Sequence, residues 1–227
     1  TSMRSLNVRD NNISNQGWCA IFDALRDHPQ NKIEEWDLSG QSINPTIAKS
    51  LAAYAAVSGS LASLNLYMNE IGPEGAKAMA ASLAANGSLS KVLVSCNRLG
   101  DEGTRAICEA LKCNKTVTEL DLSGNADAYG GSSNIGGPAG AKHVADMLRV
   151  TGSVTKTLVS GNRLGDAGAT ILCDALRKST VTKVLACRPA HRPRCAGGLR
   201  SGPAALTRHQ AHEASTRRFD SRRLCHL

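Results

Sequence analysis

Apolar residues alternate with polar ones over three positions, again and again along the chain: Leu6/Val8, Trp36/Leu38, Leu64/Leu66, Val92/Val94, Leu120/Leu122 and Thr157/Val159. Alternation at period two sends each pair to one face of a short strand and the residue between them to the other. Behind each strand the period lengthens. Ala76, Met79, Ala80 and Leu83 fall at helical spacing, as do Thr104, Ile107, Cys108 and Leu111, and later Ala169, Leu172, Cys173 and Leu176. Strands are expected to begin near residues 6, 36, 64, 92, 120, 157 and 184, each but the last followed by a helix. Pro73 suits a first helical turn, and Glu74 favours the positive end of the helix dipole. Gly75, Gly103, Gly140 and Gly168 stand where a small residue would let the helix lie close to the strand layer.

These elements belong to a repeat. Residues 64–91 and 92–119 align without a gap, so the period is 28 residues. Asn11, Asn69, Asn97, Asn125 and Asn162, with Gln41 in the second slot, follow the strands at spacings of 30, 28, 28, 28 and 37. An asparagine amide donates twice and accepts, which suits it to bridging backbone groups where a strand ends inside a stack. Two residues further on, Ile71, Leu99 or Leu164 re-enters the core. A unit of this size cannot bury its apolar face alone, so neighbours must stack, and a stack presents surfaces rather than an active site.

The pattern L-x-L-x-x-N-x-[IL]-G-x-x-G-A resembles the ribonuclease-inhibitor type of leucine-rich repeat. That repeat is found in ribonuclease inhibitor, in nucleotide-binding innate immune receptors and in Ran GTPase-activating protein. The resemblance covers residues 6–185. It implies an α/β horseshoe solenoid with a parallel sheet on the concave side and helices on the convex side, and it implies no one function.

Residues 1–187 read as one array of six full repeats and a broken seventh, with a nine-residue insertion near 126–134 that carries Tyr129. The abrupt start fits a piece of a longer array, and no signal-peptide pattern opens the chain. No run of 18 apolar residues is present, so no membrane span is expected. Eight cysteines without a Cys-x-x-Cys pair read as reduced thiols, which points to the cytoplasm.

The net charge of +8 is unevenly placed. Residues 1–187 hold 18 basic and 17 acidic side chains, whereas residues 188–227 hold nine arginines and two acids. That arginine-rich tail has no Ile, Val, Lys or Asn, and Pro189 stands where the next asparagine is due. Three readings stay open: a disordered tail, a frame or splicing artefact, or an arm binding nucleic acid non-specifically. Nucleic acid is otherwise not an expected partner.

No cofactor or metal is expected. His209, His212 and Glu213 with Cys195 and Cys225 match no zinc-finger spacing. The glycines before Lys142 lack the G-K-[ST] ending of a phosphate loop, because His143 follows; His143 itself is expected in solvent. The remaining candidates lie on the concave face and its rim. Outward positions place Asn65, Leu93, Asp121 and Leu158 in one column, Tyr67 in the next and Met68 in a third. Arg98 and Arg163, each in an Asn-Arg-Leu-Gly-Asp run, sit on the rim and are expected to pair with Asp101 and Asp166. Tyr67 and Met68 resemble the anchors of protein interfaces. The expectation is a non-enzymatic protein-interaction module with an unspecified protein partner, as a monomer or part of a larger chain. Two alternatives are a GTPase-activating regulator of a small GTPase, through a rim arginine, and a repeat scaffold with a nucleic-acid-binding tail.

Overall fold

A computed structural model describes residue 8, residues 11–124, 133–177 and 179, and the backbone of residues 183–185. Helix and short strand alternate: α1 (Asn15–Asp27), β1 (Glu35–Asp37), α2 (Pro45–Val57), β2 (Ser63–Asn65), α3 (Gly72–Ala85), β3 (Lys91–Leu93), α4 (Gly100–Cys113), β4 (Glu119–Asp121), α5 (Pro138–Leu148), β5 (Lys156–Leu158), α6 (Gly165–Leu176) and β6 (Lys183–Leu185). The strands form one sheet in chain order, parallel at every step. A helix crosses over between each neighbouring pair, as parallel pairing requires, and successive helices pack side by side as a second layer. The expected first strand, near residue 6, and the arginine-rich tail lie outside the described residues.

Local chemistry accounts for the helix starts. The Asn44 side chain caps α2, its Oδ1 accepting from Thr46 N at 3.0 Å and Ile47 N at 3.1 Å, with Pro45 at the first helical position. Gly72, Gly100 and Gly165 open α3, α4 and α6 at φ of +61°, +65° and +61°, a conformation that other residues adopt only with strain.

The core runs between sheet and helices. Leu64, Leu66, Ile71, Met79, Leu83 and Leu89 are all buried, and the corresponding residues of the next repeats follow them. At the far end the stripe weakens: Leu172 is buried, Cys173 and Leu176 are half-buried and Ala169 is exposed. Each helix stripe is covered partly by the next repeat's helix, and α6 is the last helix among the described residues. Toward the opposite end an aromatic cluster joins α1, β1 and α2. Phe22 stacks on Trp18 and Tyr54 with ring centroids 5.6 and 6.4 Å away, and meets the edge of Trp36 at 5.9 Å.

Buried asparagines tie repeat to repeat. Asn69 Nδ2 donates to Leu38 O of the preceding repeat (2.8 Å) and to Leu66 O of its own, while its Oδ1 accepts from Ile43 N at 2.9 Å. Asn97 and Asn162 hold equivalent places. In the fifth repeat the rung is Asn134 rather than the expected Asn125, which lies outside the described residues. Asn134 Nδ2 donates to Val94 O and Leu122 O, and its Oδ1 accepts from Asn97 N at 2.8 Å. The long interval of 37 residues therefore falls between Asn97 and Asn134, and the regular 28 between Asn134 and Asn162. The extra residues enter before the rung, between the end of β4 and the point where the backbone must be tied.

A second ladder runs along the helix C-termini. Asn86, the C-cap of α3, donates to Ala55 O at 2.7 Å and Ser58 O at 2.9 Å, and accepts from Ser88 N and Leu89 N. Asn114 repeats this after α4, donating to Leu83 O and accepting from Thr116 N and Val117 N. Both sides of the strand layer thus have their buried carbonyls satisfied across repeats.

The helix glycines serve the helix layer, not the strand layer. A Cβ on Gly75 would meet Ala48 Cβ of α2 at 3.0 Å, and one on Gly103 would meet Ala76 Cβ of α3 at 2.8 Å. The strictest case is Gly140, where a Cβ would stand 1.7 Å from the Ile135 carbonyl oxygen. Gly140→Ala is therefore expected to destabilise by about 2–3 kcal/mol, overpacking outweighing the helix-propensity gain of about 1 kcal/mol. A thermal melt of that variant at or above the parent midpoint would contradict this packing.

Candidate functional site

The strands begin one residue earlier than expected, which adds an outward column to the concave face. Register places Glu35, Ser63, Lys91, Glu119, Lys156 and Lys183 along it. Lys156 Nζ lies 2.5 Å from Glu119 Oε1, a pair with both side chains about a quarter to a third exposed (33% and 24%). Sequence reasoning missed this column because it started each strand at its first buried residue.

The next column is the expected one: Asp37, Asn65, Leu93, Asp121, Leu158 and Leu185 in direct register. Asn65 Nδ2 donates to Asp37 Oδ1 at 3.1 Å, and its own Oδ1 accepts from Tyr67 N at 3.1 Å. Asp121 Oδ1 likewise accepts from Ser123 N at 2.9 Å. Side chains at this position thus hold the turn that ends each strand. Where leucine stands instead, at Leu93 and Leu158, no such bond is available and an apolar group remains half-buried on the open face. Of the third column, Tyr67 is half-buried, whereas Ser95, Ser123 and Ser160 are buried. Ser160 Oγ donates to Ser123 Oγ at 3.0 Å.

Met68 is the most informative residue on this face. It is 56% exposed and adopts φ +54°, in a column where Gly40 and Gly161 have φ +67° and Cys96 has +57°. Its amide donates to Ser95 O at 3.1 Å, one step of the same interstrand ladder as Gly40 N to Tyr67 O and Cys96 N to Ser123 O. A side chain on this left-handed backbone costs about 1–2 kcal/mol that glycine avoids. An exposed apolar side chain held where the fold prefers none contributes nothing to the core.

The rim arginines do not behave as expected. Arg98 and Arg163 are exposed at φ +54° and +51°, and among the described residues neither forms an ion pair. Asp101 pairs instead with His143 of α5, whose Nε2 lies 3.0 Å from Asp101 Oδ1. His143 is thus a half-buried link between α4 and α5, not a solvated side chain. The helix start turns Asp101 away from the rim toward the next helix. Tyr129 lies outside the described residues.

Burial pushes the Cys108 thiol up, as for any thiol sealed in a core. Cys19, Cys108 and Cys113 are free thiols. On the convex side Lys77 lies 2.8 Å from both Glu102 and Glu74, and that contact holds the Glu102 carboxyl below its ordinary range. Among the described residues no group of three or more His, Cys, Asp or Glu is disposed to hold a metal. No helix is long and apolar enough to cross a membrane.

Among the described residues two buried polar atoms lack a hydrogen bond, Trp36 Nε1 and Thr157 Oγ1. Thr157 stands in the strand slot that Leu64, Val92 and Leu120 fill elsewhere. Thr157→Val keeps the shape and removes the unmatched hydroxyl. It is expected to stabilise by about 1 kcal/mol, read as a higher urea midpoint; a lower midpoint would show that the hydroxyl has a partner.

A parallel sheet of one short strand per repeat, a helix returning behind each strand and a buried asparagine rung together define a leucine-rich-repeat solenoid of the α/β kind. The Leucine Rich repeat family model matches residues 1–21, 60–80, 86–108 and 113–126. Among solved structures the chain is similar to "Leiomodin-1 Actin-Binding Site 2 (ABS2)", at 18% identity and TM-score 0.50, covering 77% of this chain and 92% of that one. It is also similar to a Caenorhabditis elegans tropomodulin C-terminal domain at 21% identity and TM-score 0.47, covering 53% and 73%. A search of curated proteins finds no match.

Proposed function

We propose that this protein is a non-enzymatic interaction module that holds a protein partner against its concave face. The observation that carries this reading is Met68, an exposed apolar side chain kept at a backbone position the fold would give to glycine. Tyr67, Leu93 and Leu158 extend an apolar surface on the same rigid sheet, and Met and Tyr are among the residue types enriched at protein interfaces. The 28-residue unit and its asparagine rung fit the ribonuclease-inhibitor type of repeat.

The test uses the full chain as bait in cell extract, with mass spectrometry of what it retains. Met68→Gly and Leu93→Ser are paired with Val150→Ser, a change to an exposed apolar residue of the helix layer. Met68→Gly suits the backbone, so the fold is kept while the anchor is lost. The concave variants are expected to lose one or more proteins that Val150→Ser retains. Retention by all three, with melts unchanged, would contradict the reading. Actin is the first purified partner to try, since the leiomodin-1 fragment of similar fold is an actin-binding site. Co-sedimentation with filaments, lost in Met68→Gly, is the expected result if actin is the partner.

A further inference from the structure

The centre of the concave face carries a pattern more specific than apolar exposure. Leu93, Asp121 and Leu158 are in register on three neighbouring strands, all half-buried. A carboxylate thus sits between two leucines on a surface of fixed spacing. Among the described residues, one Asp121 oxygen is used, accepting from Ser123 N. The other described carboxylate nearby, Glu119, is already neutralised by Lys156 at 2.5 Å. Of the described residues, Asp121 is therefore the negative charge this patch offers. Lys91, level with Glu119 in the adjoining column, disfavours a second cation beside the Leu93 end.

Spacing decides the form of the occupant. Neighbouring strands are about 4.8 Å apart, so Leu93 and Leu158 stand roughly 10 Å from each other with Asp121 midway. Along an α-helix, residues i and i+7 are about 10.5 Å apart on one face, with i+4 between them. Along a β-extended chain, residues on one face recur at about 6.6 and 13 Å, and along a polyproline helix at about 9.3 Å with no residue between them on that face, so neither supplies the cation midway at this spacing. In the next column Met68 and Cys96 carry side chains, whereas Gly124 and Gly161 do not.

We propose that the concave face binds an amphipathic helix of a partner protein, apolar at i and i+7 and carrying lysine or arginine at i+4. The apolar residues rest on Leu93 and Leu158, and the cation lies on Asp121. This assignment rests on the interaction-module reading above and makes it specific.

The test is a labelled 21-residue helical peptide with leucine at i and i+7 and lysine at i+4, titrated against the full chain by fluorescence anisotropy. Its twin carries glutamate at i+4, and a third peptide keeps the same residues but is held extended by proline. The lysine peptide is expected to bind at least about tenfold more tightly than the glutamate twin, the effect of one charge-assisted hydrogen bond. Asp121→Asn, which can still accept from Ser123 N, should erase that difference, and Asp121→Lys should invert it. Equal binding by the two peptides, tighter binding by the extended one, or no binding by any would overturn the proposal. A concentration-dependent dimer dissociated by Asp121→Asn would also overturn it, showing a second copy as the occupant. If a partner captured from extract needs Met68 and Leu93 but tolerates Asp121→Lys, the module reading stands and this assignment falls.

Discussion

Phe22→Ala is expected to lower stability by about 3–5 kcal/mol, the cost of an aromatic ring removed from a sealed core. Phe22 is fully buried and joins Trp18, Trp36 and Tyr54 in one stack, so nothing nearby can collapse into the gap without breaking another ring contact. The position matters as much as the size. In a solenoid each repeat leans only on its neighbours, so damage at one end frees that end first. The chain has two tryptophans, and both lie in this cluster. Tryptophan fluorescence therefore reports the first repeats, whereas circular dichroism reports the whole array. In urea, the fluorescence midpoint of Phe22→Ala should fall well below the circular-dichroism midpoint. Coincident midpoints would mean that the array unfolds as one unit, and a loss under about 1 kcal/mol would mean that the aromatic cluster does not hold α1 to the array.

Asn134→Ala is the second large effect, expected at about 3 kcal/mol because each buried group left without a partner costs about 1–3 kcal/mol. The change orphans the carbonyl of Val94 and the amide of Asn97 together, and takes one of two donors from Leu122 O, which keeps Asn162 Nδ2 at 2.9 Å. Asn134→Asp separates the roles. Its carboxylate still accepts from Asn97 N but donates to neither carbonyl, so it too should destabilise, and more strongly as rising pH ionises it. Denaturation melts of the two variants check this. An unchanged midpoint for Asn134→Ala would place the fifth rung elsewhere.

That rung shows where the sequence was legible and where it was not. Trp36, Leu64, Val92 and Leu120 were readable as inward strand residues, because burial on one face leaves period two in the chain. The asparagine rungs were readable wherever the period was unbroken. At the insertion two asparagines competed, and counting forward from Asn97 favoured Asn125. Counting back 28 residues from Asn162 gives Asn134, the residue that makes the bonds. The second ladder left a signal as well, since Asn86-Gly-Ser-Leu and Asn114-Lys-Thr-Val recur at the same phase. Asp101 was readable as a charged residue in a first helical turn but not as a partner of His143, because that contact depends on how α4 and α5 lie together. For the same reason Gly75 and Gly103 looked like spacers against the sheet, when the near atoms belong to the preceding helix. On the concave face Leu93, Asp121 and Leu158 were legible as outward residues. Their direct register across three strands required the pairing itself.

The central claim, that a protein partner lies on the sheet side, is tested most directly by site-specific photocrosslinking in extract. A photoreactive residue placed at Met68, Leu93 or Leu158 is compared with one at Val57 or Val150, exposed apolar side chains away from the sheet. The account predicts that all three concave positions crosslink to one and the same protein, and that Val57 and Val150 do not. Crosslinks to a common protein from Val57 and Val150, with none from Met68, Leu93 or Leu158, would contradict it.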